Sequence, residues 1–166
     1  VLMVLNLGLV GLIIGHNGLN SIGHVLNELR IHMFENIHRD LSHNLSEAMK
    51  VNEINYDLLN SGLLELESES ERERYFYNIL KSYPDVAMTY IGLSNGEFYG
   101  ARRVTDHKIQ VVRNNPKTRG GSWYYGTNEM GEGIRLEDKY PGFDPRTRDW
   151  YIKAVQEHKA IFSDIY

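Results

Sequence analysis

The chain has 166 residues, a formal net charge of −4, 42% hydrophobic, 11% aromatic and 24% charged content, and no cysteine. That length admits one compact domain with an appendage and disfavours a multidomain enzyme, and the composition excludes wholesale disorder. Without Cys there is no disulfide frame, thiolate zinc site, iron–sulfur cluster or cysteine nucleophile; a pI near 6.0 argues against a dedicated nucleic-acid binder, which needs a basic face.

The average conceals three regions. Residues 1–27 carry no charge if His16 and His24 are neutral. Residues 28–83 hold eleven acids against six bases, and residues 84–166 eleven against twelve. All four prolines, both tryptophans and seven of the eleven tyrosines fall in the last region.

Residues 1–15 are almost entirely Leu, Val, Ile and Gly, continuing into weakly polar sequence before Glu28. A bilayer-spanning helix takes about 20 apolar residues. The chain begins with neither an initiator Met nor a basic flank, so residues 1–27 read as part of a membrane helix and its exit. A signal peptide fits less well, because the basic leader and the small-residue cleavage site are both missing. Gly11 and Gly15 form a small-xxx-small pair suited to close helix approach.

Leu26, Leu29, Met33, Ile37, Leu41, Leu45 and Met49 then recur every three or four residues, which predicts a long amphipathic helix over about residues 25–49. It is long enough to act as a stalk and a dimer seam. His38 and His43, five apart, do not share a helical face, so no metal site is expected. Asn60, Ser61 and Gly62 break the helix. Ser68 and Glu71 make a capping-box pattern for a second helix reaching about Lys81. The acidic run Glu65, Glu67, Glu69, Glu71 and Glu73 reads as a solvated face near that helix start. Residues 28–83 are therefore stalk and second helix.

From Pro84 the period changes to two. Residues 86–92 alternate as a strand, Asn95–Gly96 marks a hairpin, and the partner strand follows from Phe98. Further strands are predicted at 109–113, 122–125 and 160–166, with a short helix capped by Thr147 or Asp149 running to Glu157. The order gives an α+β domain of PAS-like type, an antiparallel sheet lobe over 84–166.

The string FDPRTRDWY, starting at Phe143, with Ala154 after it and FSDIY closing the chain, resembles the double-Cache extracellular sensor domains of bacteria and archaea. The upstream order is similar too: membrane helix, stalk helix, second helix, Tyr-Pro before a strand, then Ile-Gly-x-x-x-Gly in a hairpin. The resemblance implies a receptor ectodomain at the cell membrane, periplasmic or extracellular, with its ligand in the membrane-distal lobe. A homodimer is expected from the apolar stripe, which can serve as a helix-pairing seam, and the resemblance implies an incomplete lobe: the sheet would extend past Tyr166, as would the family's amine-binding Asp and any kinase, cyclase or chemoreceptor output. By that resemblance Arg148 and Trp150 would hold a ligand carboxylate, as in an amino acid or organic acid, while Tyr151 and Tyr166 would shape the amine side. Phe143 stands where the amino-acid-specific pattern has Tyr.

The residue chemistry agrees. Arg148 offers a planar fork for a carboxylate, Trp150 an indole N–H, and the tyrosines hydroxyls beside rings. Trp123 is a further candidate wall. Asp144, before Pro145, suits a turn that bonds backbone amides, and Arg146 could pair with Asp144 or Asp149 at the surface. An enzyme is not expected: the arginines between Asp144 and Asp149 would depress a general acid's pKa, and no phosphate loop or nucleophile elbow is present. No cofactor and no nucleic-acid partner are expected. The alternative is a ligandless dimerisation or periplasmic-partner module that uses the apolar stripe.

Overall fold

The computed structural model describes residues 2–163, with side chains over 22–163. Helix α1 runs Leu2–Asn60, without a break between the predicted membrane and stalk segments. The chain divides into two units, one up to His43 and one from Asn44 onward. In the first unit, Leu26, Met33, Ile37 and Leu41 of the predicted stripe are all more than half exposed. Among the described residues no helix is long and apolar enough to cross a membrane. The apolar run 1–15, on which the membrane reading rests, lies outside the residues whose side chains are described.

The second unit begins with the last turns of α1. The helix ends where the sequence signals it. Ser61 Oγ donates to the Asp57 carbonyl at 2.7 Å, and Gly62 takes the left-handed conformation at φ 70°, which costs glycine least. Helix α2, Glu69–Ser82, opens at Ser68, but the Ser68 side chain makes no capping bond. The pattern marks the position without supplying the expected bond.

Five strands follow: β1 Met88–Gly92, β2 Phe98–Thr105, β3 Lys108–Asn114, β4 Ser122–Thr127 and β5 Gly133–Tyr140. They form one antiparallel sheet in the order β1-β2-β3-β4-β5. The β1–β2 hairpin turns at Gly96, φ 89°, with Asn95 Oδ1 accepting from the Glu97 N–H at 3.0 Å. Strand β5 is not foreseen from sequence. Its residues, GIRLEDKY, lack an apolar alternation and are half exposed; pairing with β4 makes it a strand.

Because side chains alternate across a strand, the register sorts the sheet into two faces. Thr89, Ile91, Tyr99, Ala101, Val111 and Tyr125 share one face. Val51 of α1 and Phe76 and Leu80 of α2 cover it, forming the main core. Burying that many large apolar groups, each worth about 1.5–3 kcal/mol, ties both helices to the sheet. Tyr90, Phe98, Val112 and Tyr124 occupy the opposite face, where a second cluster forms with Met88, Phe143 and Trp150.

The acidic run is not uniformly solvated as expected. Glu73 is only 4% exposed and holds Arg113 of β3, and Glu69 approaches the same guanidinium at 3.3 Å. A half-buried arginine on the helix-facing side of the sheet is best stabilised by a carboxylate across from it.

After β5 a 3-10 turn, Pro145–Thr147, leads into α3, Asp149–Glu157. The residue capping α3 is Arg148 rather than Thr147 or Asp149, and it makes no side-chain cap bond. The strand expected over 160–166 does not form at 160–163, where no ladder partner is present among the described residues. Residues 164–166, Tyr166 included, lie outside the described residues.

Candidate functional site

The loop after β5 is fastened to the sheet before it carries any candidate side chain. Asn114, buried at the end of β3, donates through Nδ2 to the Phe143 carbonyl at 2.7 Å. The Phe143 N–H in turn reaches the Gly120 carbonyl at 3.1 Å. Asp144 then works as a turn former. Its Oδ1 accepts from the Arg146 N–H at 2.9 Å, and its Oδ2 takes Arg146 Nη2 at 2.7 Å. The Arg146 side chain and backbone bonds hold the Asp144 carboxyl below the usual carboxylate range. Asp144 and Arg146 are thus committed to each other at the surface.

This frame brings Phe143, Arg148, Trp150 and Tyr151 together. Trp150 packs edge-on to Tyr90 at 4.9 Å between ring centroids and lies 5.8 Å from Tyr151. Phe143 sits 4.8 Å from Phe98. Aromatic pairs at these separations add about 0.5–1.5 kcal/mol each beyond their buried area, so the cluster is also part of the second core. The Arg148 guanidinium lies 4.8 Å from the Phe143 ring centre, with the side chain exposed. Among the described residues it has no carboxylate within ion-pair distance, whereas Arg102, Arg113, Arg135 and Arg146 each hold one. A cation backed by aromatic rings and open on one side is suited to an incoming carboxylate.

Trp123 does not join this group. It pairs in register with Arg113, on the helix-facing side of the sheet, and its ring lies under the Lys139 ammonium at 4.3 Å. In the run Ser122, Trp123, Tyr124, Tyr125, it is Tyr124 that shares the face of Phe98. The aromatic run shows a strand but not which parity faces the loop.

Sequence reading puts Gly92 in the Ile-Gly-x-x-x-Gly hairpin but not at this site, where it lets the sheet form a wall: a Cβ there would lie 2.8 Å from the Trp150 ring, 2.9 Å from Pro145 and 3.3 Å from Tyr151. Only glycine lets this loop close onto β1. Farther along the same face, Arg102 stacks over Tyr124 at 3.7 Å and donates to Asp138 Oδ2 at 2.6 Å and Gln110 Oε1 at 2.8 Å. Burial pushes the Tyr124 hydroxyl pKa up, partly offset by Arg102. The parity of β2 could have placed Arg102 on this face, but its partners lie on β3 and on the unforeseen β5.

An open cleft with a volume of about 760 Å³ lies at the other end of the strands, lined in part by Tyr77, Lys81, Arg103, Lys108, Ile134 and Arg135. Its cations are largely committed. Lys108 and Arg135 both bond Glu137 at 2.6 Å, and Arg103 donates to the carbonyls of Leu80 and Tyr83. The Arg135, Lys108 and Gln110 bonds bring the Glu137 carboxyl down to about 2. The cleft's size suits a ligand and Arg103 Nε lies buried there without a hydrogen-bond partner among the described residues, but Lys108 and Arg135 are held by Glu137, so the loop cluster, with its exposed guanidinium, is the stronger candidate. Among the described residues no three His, Asp or Glu side chains converge as a metal site would need.

No family model matches the chain, and neither the curated proteins nor the solved structures yield a match.

Proposed function

We propose that this chain is the extracytoplasmic sensing part of a transmembrane signal-transduction receptor, binding a small carboxylate-bearing molecule such as an amino acid or organic acid. The observation that carries the reading is the exposed Arg148 guanidinium over Phe143, with no carboxylate at ion-pair distance among the described residues, on the loop that also carries Trp150 and Tyr151. The resemblance of the FDPRTRDWY segment to double-Cache sensors supports the same residues, and the charge-free stretch 1–27 supports attachment to a membrane. In this reading the chain acts by binding and relaying rather than by catalysis. The test is a thermal melt of the chain against amino acids, dicarboxylates and amines. A stabilising hit lost in Arg148→Ala supports the reading; no shift from any carboxylate at millimolar concentration overturns it.

The exposed stripe of α1 favours a second reading, a homodimerising module without a ligand. Leu26, Met33, Ile37 and Leu41 expose apolar surface that water-facing helices normally cover. A tight dimer that Leu41→Asp dissociates, together with no ligand response, would select it.

A further inference from the structure

Strand β1 touches both the loop cluster and the last turns of α1. On one face, Tyr90 packs against Trp150 at 4.9 Å, and Gly92 leaves room for Trp150, Pro145 and Tyr151. On the other face, Thr89 is only 4% exposed, and its Oγ1 accepts from Asn55 Nδ2 at 3.0 Å. Asn55 Oδ1 in turn accepts from the Tyr75 hydroxyl of α2 at 2.5 Å. Asn55 and Thr89 are 34 positions apart in sequence, and both lie among otherwise apolar neighbours.

A buried amide satisfied on both sides is a poor choice if stability is the only purpose, because an apolar contact of the same shape does as well. Its distinctive property is direction. A side-chain hydrogen bond has one register, whereas a greasy contact tolerates sliding. The Asn55 amide therefore fixes how α1 sits along β1, to within the length of a bond. Strand β1 is also an edge of the five-stranded sheet, bonded only to β2 among the described strands, so it can shift with less disruption than a central strand.

We propose that β1 is a two-faced relay. Movement of Trp150 and Tyr151 presses on Tyr90 and Gly92, and the Thr89–Asn55 bond transmits the resulting shift of β1 to the last turns of α1. Asn55, Thr89 and Gly92 are positioning residues in this account. The relay takes its purpose from the sensor reading, but its geometry does not depend on that reading. Both faces belong to one short strand, so displacement on one side necessarily moves the other.

The test needs no ligand, so its failure is separate from a failure to find one. In the full chain carrying Trp123→Phe, Trp150 is the sole tryptophan, and acrylamide quenching reads its exposure. Thr89→Val removes the hydroxyl while keeping the shape, and Thr89→Ser restores it. Thr127→Val is the control, deleting a hydroxyl bonded to the Ile109 carbonyl at the far end of the sheet. Coupled positions shift local equilibria by about twofold or more. The expected result is at least that rise in Trp150 quenching for Thr89→Val, with Thr89→Ser and Thr127→Val at the parent value. In the reverse direction, Trp150→Phe should speed amide hydrogen exchange over residues 51–60. Parent-level quenching in a folded Thr89→Val chain overturns the relay. So does an equal rise in Thr127→Val, or unchanged exchange in Trp150→Phe.

Discussion

Glu73→Gln tests whether the acidic start of α2 is structural. In the folded chain Glu73 Oε2 accepts from Arg113 Nη2 at 3.0 Å and from the Gly133 N–H at 2.8 Å, while Oε1 takes Arg113 Nε. Burial lowers the Arg113 pKa, but the Glu73 bonds outweigh it and leave the guanidinium pKa raised. The amide would remove the neutralising charge and turn an NH₂ toward a cation. Breaking a fully buried pair costs about 3–5 kcal/mol. Arg113 would keep Glu69 at 3.3 Å and the Gly133 carbonyl at 3.0 Å, and it is 16% exposed. These reduce the expected loss to about 2–3 kcal/mol, or about 5–10 °C in Tm for a chain of this size. Urea unfolding followed by tryptophan fluorescence measures it. A loss below about 0.5 kcal/mol, the range of surface pairs, would refute the assignment of Glu73 to the interior.

Three further outcomes follow from the same packing. Gly100→Ala should lose the fold or most of its stability, because the new Cβ would lie 2.3 Å from the Thr89 carbonyl oxygen and 2.7 Å from Tyr90 Cα; far-UV circular dichroism and solubility check it. Burial, with the neighbouring Tyr83, pushes the Tyr75 hydroxyl up to about 12 from 10.0. Its raised pKa contributes stability that is complete below pH 10.0 and lost as pH rises toward about 12, so Tyr75→Phe should flatten alkaline unfolding over that window. The depressed Glu137 works in the opposite sense. Its contribution is present above pH 4.5 and lost as pH falls toward about 2, and acid melts of Glu137→Gln should lack that segment.

The helices and the first hairpin are legible in the sequence because their signals are local: the three-or-four-residue stripe, the Asn60–Gly62 break, and Asn95–Gly96 between alternating runs. What is not legible depends on partners. Strand β5 has no apolar code of its own and exists through β4. Ser68 lies at the start of α2 without making its capping bond. Glu73 reads as solvated because nothing near it in sequence reveals Arg113, 40 positions on. In the candidate site, the FDPRTRDWY segment places Phe143, Arg148, Trp150 and Tyr151 together because one turn carries them all. Trp123 falls on the opposite face because parity within an aromatic run is set by register. Gly92, within Ile-Gly-x-x-x-Gly, and Tyr90 are legible as residues of the first strand, but their place as a wall against the loop emerges only from the folded chain.

The claim that Arg148 is the anchor for a carboxylate is tested most directly by titration calorimetry of the strongest carboxylate hit against the parent chain, Arg148→Ala and Arg148→Lys. Arg148 is exposed and, among the described residues, bonded to no carboxylate, so both variants should melt close to the parent, as surface substitutions do. A bidentate charge-assisted pair contributes about 1.5–3 kcal/mol, so Arg148→Ala should weaken binding by about tenfold to a hundredfold. Arg148→Lys should recover only part of that loss, because an ammonium cannot form the planar fork. Equal affinity in all three chains would contradict the account and remove Arg148 from the site.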